Sequence, residues 1–127
     1  MTQEEKSLLL KDICARFAYG LKVSEYFEES HIWTNPRDFE GVGPYYILMH
    51  PEKIKPYLRP ISSMTEEEKE ELECKFPHLS VHGDMYGYLA RGEIGDFLEF
   101  IYSHHIDLNG LIPMGLAIEA LEGMYEF

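Results

Sequence analysis

Pro51, Pro56 and Pro60 fall within ten residues and constrain this chain more than any other feature. Each removes a backbone N–H and fixes φ near about −65°. A regular helix cannot run through that spacing, and a central strand would lack ladder donors. The expectation is an ordered surface segment over 51–63, pinned to the core by Tyr57, Leu58 and Ile61. The segment leads into Thr65 and Glu68, a capping box in which hydroxyl and carboxylate each take one orphan N–H. Glu66, Glu67 and Glu68 suit the positive end of the helix dipole. That helix is expected to run to about Lys75 and to stop before Pro77.

A second capping box, Thr2 with Glu5, opens an N-terminal helix. Leu10, Ile13, Cys14 and Phe17 fall at i, i+3, i+4 and i+7, predicting one apolar stripe with Cys14 as a small buried hydrophobe. Gly20 is a natural stop. Leu21, Val23 and Phe27 alternate with Lys22, Ser24 and Tyr26, a strand pattern that Glu25 interrupts. His31–Thr34 is a short partner. Asn35-Pro36 and Gly41–Pro44 are breakers, and Tyr45–Met49 is an apolar run of strand length. Met85–Ala90 reads as a strand, with Gly87 a bulge. Asp96 with Glu99 forms a third capping box before a helical face of Leu98, Ile101, Tyr102 and His105. Asn109-Gly110 is a turn. The tail stays open: Met114, Ala117, Ile118 and Leu121 would stripe a helix, and Pro113 and Gly115 oppose it.

At 127 residues the chain suits a single domain spanning 1–127, and 45% hydrophobic residues supply a core. The fold class expected is α+β, a small, mostly antiparallel sheet packed with about three helices. No run reaches membrane-span length, and the N-terminus lacks a signal-peptide pattern. Cys14 and Cys74 do not make a disulfide framework. A cytoplasmic location follows as an expectation.

The formal net charge is −12. No Lys or Arg occurs from Gly92 to Phe127, and Thr65–Glu73 holds six Glu against one Lys. Lys53, Lys55 and Arg59 form the one small basic patch. Such a surface repels phosphate backbones, so direct nucleic-acid binding is disfavoured and a basic protein partner is compatible.

Several segments resemble a family of small uncharacterised bacterial proteins associated with phages and mobile elements. They are Lys55-Pro-Tyr-Leu-Arg-Pro-Ile-Ser-Ser-Met-Thr-Glu-Glu-Glu-Lys-Glu-Glu71, Ser103-His-His-Ile-Asp-Leu-Asn-Gly-Leu-Ile112, Gly115-Leu-Ala-Ile-Glu-Ala120 and Glu122-Gly-Met-Tyr125. Leu8-Leu-Leu-Lys-Asp-Ile-Cys14 and Tyr19-Gly20 resemble the family's start. Its pattern has Pro at the positions of Ala18 and Leu121, and an aromatic followed by Arg near Leu108-Asn109. A Pro at the Leu121 position opposes a helical tail. The resemblance implies a genomic setting and carries no activity, ligand or catalytic residue.

Three constellations could carry chemistry. His104-His105-x-Asp107 holds metal-ligating types, but adjacent helical residues point about 100° apart. His105 reads more simply as a hydrogen-bonded core histidine, and His104 as a helix-end residue favoured by the dipole. His78 and His82 stand at i, i+4 with Asp84 nearby, yet Pro77 and Gly83 make this a loop rather than a zinc helix. Lys53, Lys55 and Arg59, interleaved with Tyr57, could hold a phosphate or an aromatic-stacked strand, or simply offset the neighbouring Glu run. Nine Tyr and Trp33 are either groove residues at an interface or half-buried strand positions. No nucleophile elbow, phosphate loop, paired-cysteine or dinucleotide motif occurs, and no cofactor is implied.

The expected function is therefore a non-enzymatic interaction protein, its candidate binding residues Trp33, Tyr57, Arg59, Lys53 and Lys55. One alternative is an acidic mimic of nucleic acid. The area law gives roughly 7,000 Å² of surface, one net charge per about 600 Å², against roughly 100 Å² on duplex DNA. Mimicry therefore needs the acids gathered on one face. The other alternative is a metal hydrolase, which needs His78, His82, Asp84, His104 or Asp107 to converge.

Overall fold

A computed structural model describes residues 1–39, 46, 49–81 and 85–125. Helix α1, Gln3–Ala15, starts at the Thr2/Glu5 capping box, both of whose hydrogen bonds form (3.1 and 2.9 Å). A short 3-10 turn, Phe17–Tyr19, ends at Gly20, whose φ of 69° is the left-handed stop. Strands β1 (Lys22–Phe27), β2 (Ile32–Trp33), β3 (Arg37–Asp38), β4 (Ile54–Leu58) and β7 (Ile118–Glu119) form one sheet. β2, β3 and β4 pair antiparallel with β1, and β7 pairs parallel with β4. Helices α2 (Glu66–Lys75) and α3 (Ile94–Ser103) pack beside a two-stranded hairpin, β5 (Leu79–Ser80) and β6 (Tyr86–Gly87). This is the expected α+β class, with α1, α2 and α3 packed on a small, mostly antiparallel sheet among the described residues.

Two apolar clusters hold the molecule. Leu9 and Ile13 of α1 pack with Leu21, Val23, Ile54 and Leu58 of the sheet. Met64, Leu72, Phe76, Leu79, Phe97, Phe100, Ile101 and Ile106 form the other. The joint is polar: Arg59 N–H donates to His105 O (2.7 Å), and Asp107 N–H donates to Arg59 O (2.8 Å).

The proline segment differs from expectation. Ile54–Leu58 is a buried strand between β1 and β7. Leu58 O accepts Ala120 N–H (2.8 Å), so by alternation Pro56 also turns its backbone toward the β7 side. β7 pairs only with Tyr57 and Leu58, so no β7 residue of the ladder needs the donor that Pro56 lacks. The short reach of β7 is what lets a proline sit in an inner strand.

The α1 stripe is also shifted. The buried residues are Leu9, Asp12 and Ile13, followed by Arg16, while Cys14 and Phe17 are exposed. Asp12 and Arg16 pair at 2.6 Å with both side chains wholly buried. A buried ion pair hides half of the inward face from any apolar count. The third capping box does not form. α3 begins three residues earlier, at Ile94 with Glu93 as N-cap, and Glu93 accepts Ala90 N–H (2.8 Å) instead. The tail is not helical; Ile118–Glu119 is a strand.

Of Tyr45–Met49, only Tyr46 and Met49 are described. His50 N–H donates to Tyr46 O (2.8 Å), a helical rather than a strand spacing. Gly41–Pro44, His82 and Asp84 lie outside the described residues. Gly87 is fixed by close approach: a Cβ there would sit 2.0 Å from His78 O.

Candidate functional site

The β1–β2 edge carries the first candidate surface. Ile32 is 58% exposed, Phe27 41% and Trp33 36%. Tyr26 lies against Trp33, ring centroids 5.3 Å apart, and the Lys55 ammonium stands 4.7 Å over the indole. The register explains the grouping. Tyr26 pairs with Trp33, and Ser24 pairs with Lys55, so all four side chains stand on one sheet face. Among the described residues β2 is the last strand on this side, and no strand pairs with its outer backbone groups.

Of the five expected binding residues, the structure joins only Trp33 and Lys55. Lys53 pairs with Glu28 at 2.9 Å, an interaction that lowers the Glu28 carboxyl and raises the Lys53 amine. Tyr57 is buried within the sheet. Arg59 stands at the far end of β4 and does not join the patch.

Arg59 builds the second candidate surface. Its guanidinium grips Glu68 through two bonds (2.9 and 2.6 Å) and reaches the carbonyls of His104 (3.3 Å) and Ser63 (3.2 Å). Glu68 also closes the α2 capping box by accepting Thr65 N–H (2.9 Å). Burial alone would raise this carboxyl, but Arg59 and the Thr65 amide outweigh it and hold it at about 2. His104 Nδ1 donates to Phe100 O (2.8 Å), which leaves Nε2 at 3.9 Å from Glu68.

These residues wall a cleft of about 810 Å³, with Glu67, Glu71, Glu119 and Glu122 on its rim. Glu71 and His104 are shared with a second cleft of about 450 Å³, which adds Glu93, Asp96 and Glu99. The acids of α2, α3 and the tail thus face adjoining clefts.

Of the candidate metal ligands, His78, His104 and Asp107 are described, and His82 and Asp84 lie outside the described residues. Among the described residues, no three His, Cys, Asp or Glu side chains form a metal-binding group. His78 stacks on Tyr88, centroids 4.4 Å apart. Both Asp107 oxygens accept backbone N–H groups, of Leu111 (2.8 Å) and Ile112 (2.9 Å). His104 is the α3 C-cap. His105 is a buried core histidine, as read from its place on the apolar face. Its Nε2 donates to Tyr19 O (2.8 Å), and burial pushes its pKa down to about 4.

Two polar devices escape a reading by motif. Asp12, besides gripping Arg16, accepts from Asn109 (2.9 Å), and Arg16 donates to Ile106 O (2.6 Å). Tyr125 bonds both β1 and β4. These partners lie 68 to 103 residues away in sequence, so no local spacing announces them. Comparison with protein-family models, with curated proteins and with solved structures returned no match.

Proposed function

We propose that this chain is a non-enzymatic, cytoplasmic interaction protein of phage or mobile-element origin, which docks a protein partner on the β1–β2 edge. The observation that carries the reading is the exposed apolar side chains of the β1–β2 edge, Trp33 on one face of the sheet and Phe27 with Ile32 on the other, where β2 has no outer neighbour among the described residues. Apolar side chains on an open strand edge are a liability in an isolated molecule and an asset in one that pairs. An extended partner segment can add its main chain to β2 and seat side chains against Trp33. The resemblance of 55–71 and 103–125 to phage-associated proteins supports the origin.

The test is differential capture from host lysate. Wild-type protein is expected to retain a specific polypeptide through high salt, and Ile32→Lys to lose it. Retention by both proteins would contradict the reading.

A second reading, an acidic mimic or a binder of basic proteins, is supported by the gathering of Glu67, Glu71, Glu93, Asp96, Glu99, Glu119 and Glu122 around adjoining clefts. The mean density argues against full mimicry. The accessible surface is 7746 Å², about 650 Å² per net charge, against roughly 100 Å² on DNA. A partner released steeply by salt and indifferent to Ile32→Lys would favour this second reading.

A further inference from the structure

Thr34 N–H donates to Glu25 O (2.8 Å), so the Thr34 backbone faces β1. Alternation turns the N–H and C=O of Trp33 the other way, toward the outside of the sheet. Among the described residues no strand takes them up. A residue with both groups outward is the unit of antiparallel pairing, in which two opposed residues exchange both bonds. Two copies related by a two-fold axis at Trp33 complete that unit: each Trp33 N–H donates to the Trp33 C=O of the other. One patch then serves both partners, as an isologous contact requires.

The side chains suit the same register. The two Trp33 rings fall on one face as cross-strand neighbours, a pairing of the kind that stabilises sheets. On the other face Ile32, 58% exposed, comes opposite Thr34 of the second copy, with Phe27 beside it in β1. The turn that carries Glu28 and Glu29 reaches the end where the second copy presents Arg37, whose side chain is 43% exposed. A parallel approach would instead set like charges together.

Charge separates a second copy from a basic partner. Residues 22–38 and 52–55 hold four Lys or Arg and five Asp or Glu, a local net charge of −1 on a chain of −12. The acid-lined clefts lie at the β7 side, around α2, α3 and the tail. A basic polypeptide is drawn to those clefts. An identical acidic chain is repelled by them and approaches where charge is near balance, which is the apolar edge. The contact is small: a standard interface covers roughly 800 Å² per partner, and one edge strand with three exposed apolar side chains covers less, so a Kd of ~10–100 µM is expected.

We infer that β2 docks β2 of a second copy of this chain, antiparallel about a two-fold axis at Trp33. The inference rests on the edge being a docking surface and names its occupant.

The experiment is sedimentation equilibrium of the full-length protein over a concentration range spanning that Kd, beside Ile32→Lys. Wild-type protein is expected to pass from the mass of one chain to that of two. Ile32→Lys, which adds two like charges near the axis, is expected to raise the dissociation constant at least ~10-fold. A single-chain mass throughout, or a dimer indifferent to Ile32→Lys, overturns the inference. A single-chain protein that still captures a host polypeptide through Ile32 overturns the second copy alone and leaves the docking surface standing.

Disulfide trapping checks the register in full-length protein carrying Cys14→Ser and Cys74→Ser. With Trp33→Cys added, mild oxidation is expected to link two chains, because opposed residues of this pair type stand about 5.5 Å apart at Cα, within disulfide reach. Leu121→Cys, exposed at the β7 side, is the control and is expected to stay unlinked. Equal linkage from both positions overturns the inference.

Discussion

At its β7 side the sheet ends in polar closure, and at its β2 side it ends in exposed apolar side chains. Around β7, Ala120 and Ile106 continue the pairing of β4, the Arg59–Glu68 pair braces the corner, and Tyr125 bonds both β1 and β4. Around β2, Ile32, Phe27 and Trp33 stand in the open with one cation, Lys55, over the indole. Both edges belong to the same five-stranded sheet, so strand chemistry alone does not account for the difference.

The largest expected effect breaks the closed side. Arg16→Met leaves Asp12 charged and wholly buried beside Asn109, and is expected to destabilise by about 3–5 kcal/mol in denaturant unfolding. The double variant Asp12→Leu, Arg16→Met is expected to recover most of that loss. If the single variant is neutral, the pair is not the structural tie described here.

Tyr125→Phe keeps the ring on His105 and takes the hydroxyl from the Lys22 N–H and the Tyr57 C=O. It is expected to cost about 1–3 kcal/mol, measured by the same unfolding curves.

Proton linkage sharpens the comparison further. Burial holds the folded His105 imidazole at about 4, below the roughly 6.5 of a free histidine. The folded state therefore binds fewer protons between these values, and His105 contributes stability above pH 6.5 that is lost as pH falls toward 4. Glu68, at about 2 against 4.5, loses its contribution over the lower window, from pH 4.5 toward 2. His105→Asn, which tolerates the left-handed backbone of this position, is expected to flatten the stability–pH curve between 6.5 and 4 and leave the lower limb. An unchanged upper limb would contradict the burial of a neutral His105.

The smallest stability effect belongs to the open side. Ile32→Lys is expected to change unfolding free energy by less than about 0.5 kcal/mol. A large loss would mean that Ile32 supports the fold rather than a partner.

What was legible in the sequence follows from range. The Thr2/Glu5 and Thr65/Glu68 boxes act over three residues, and both form as read. β1 alternates visibly, and its neighbour β2 follows within a few residues. Asp96/Glu99 has the same spacing as a true box, but α3 begins at Ile94, so the pattern alone did not place the helix start. Pro56 misleads because its tolerance depends on where β7 begins, about sixty residues later. The α1 face was misphased because a buried Asp12–Arg16 pair counts as polar in any periodicity. In the candidate sites, the grouping of Lys53, Lys55 and Arg59 with Tyr57 rests on proximity in sequence, whereas the structure sets Lys55 over Trp33, pairs Lys53 with Glu28 and puts Arg59 past the other end of β4. Tyr125 was one tyrosine among nine until its two backbone partners were known.

The most direct test of the open edge is site-specific photocrosslinking in host cells, with p-benzoylphenylalanine in place of Trp33 and, separately, of Leu121. Both positions are exposed, and Leu121 borders the acidic cleft. The account predicts a discrete crosslinked polypeptide from position 33 and none from position 121. Crosslinks from position 121 alone, or equal yields from both, would contradict it.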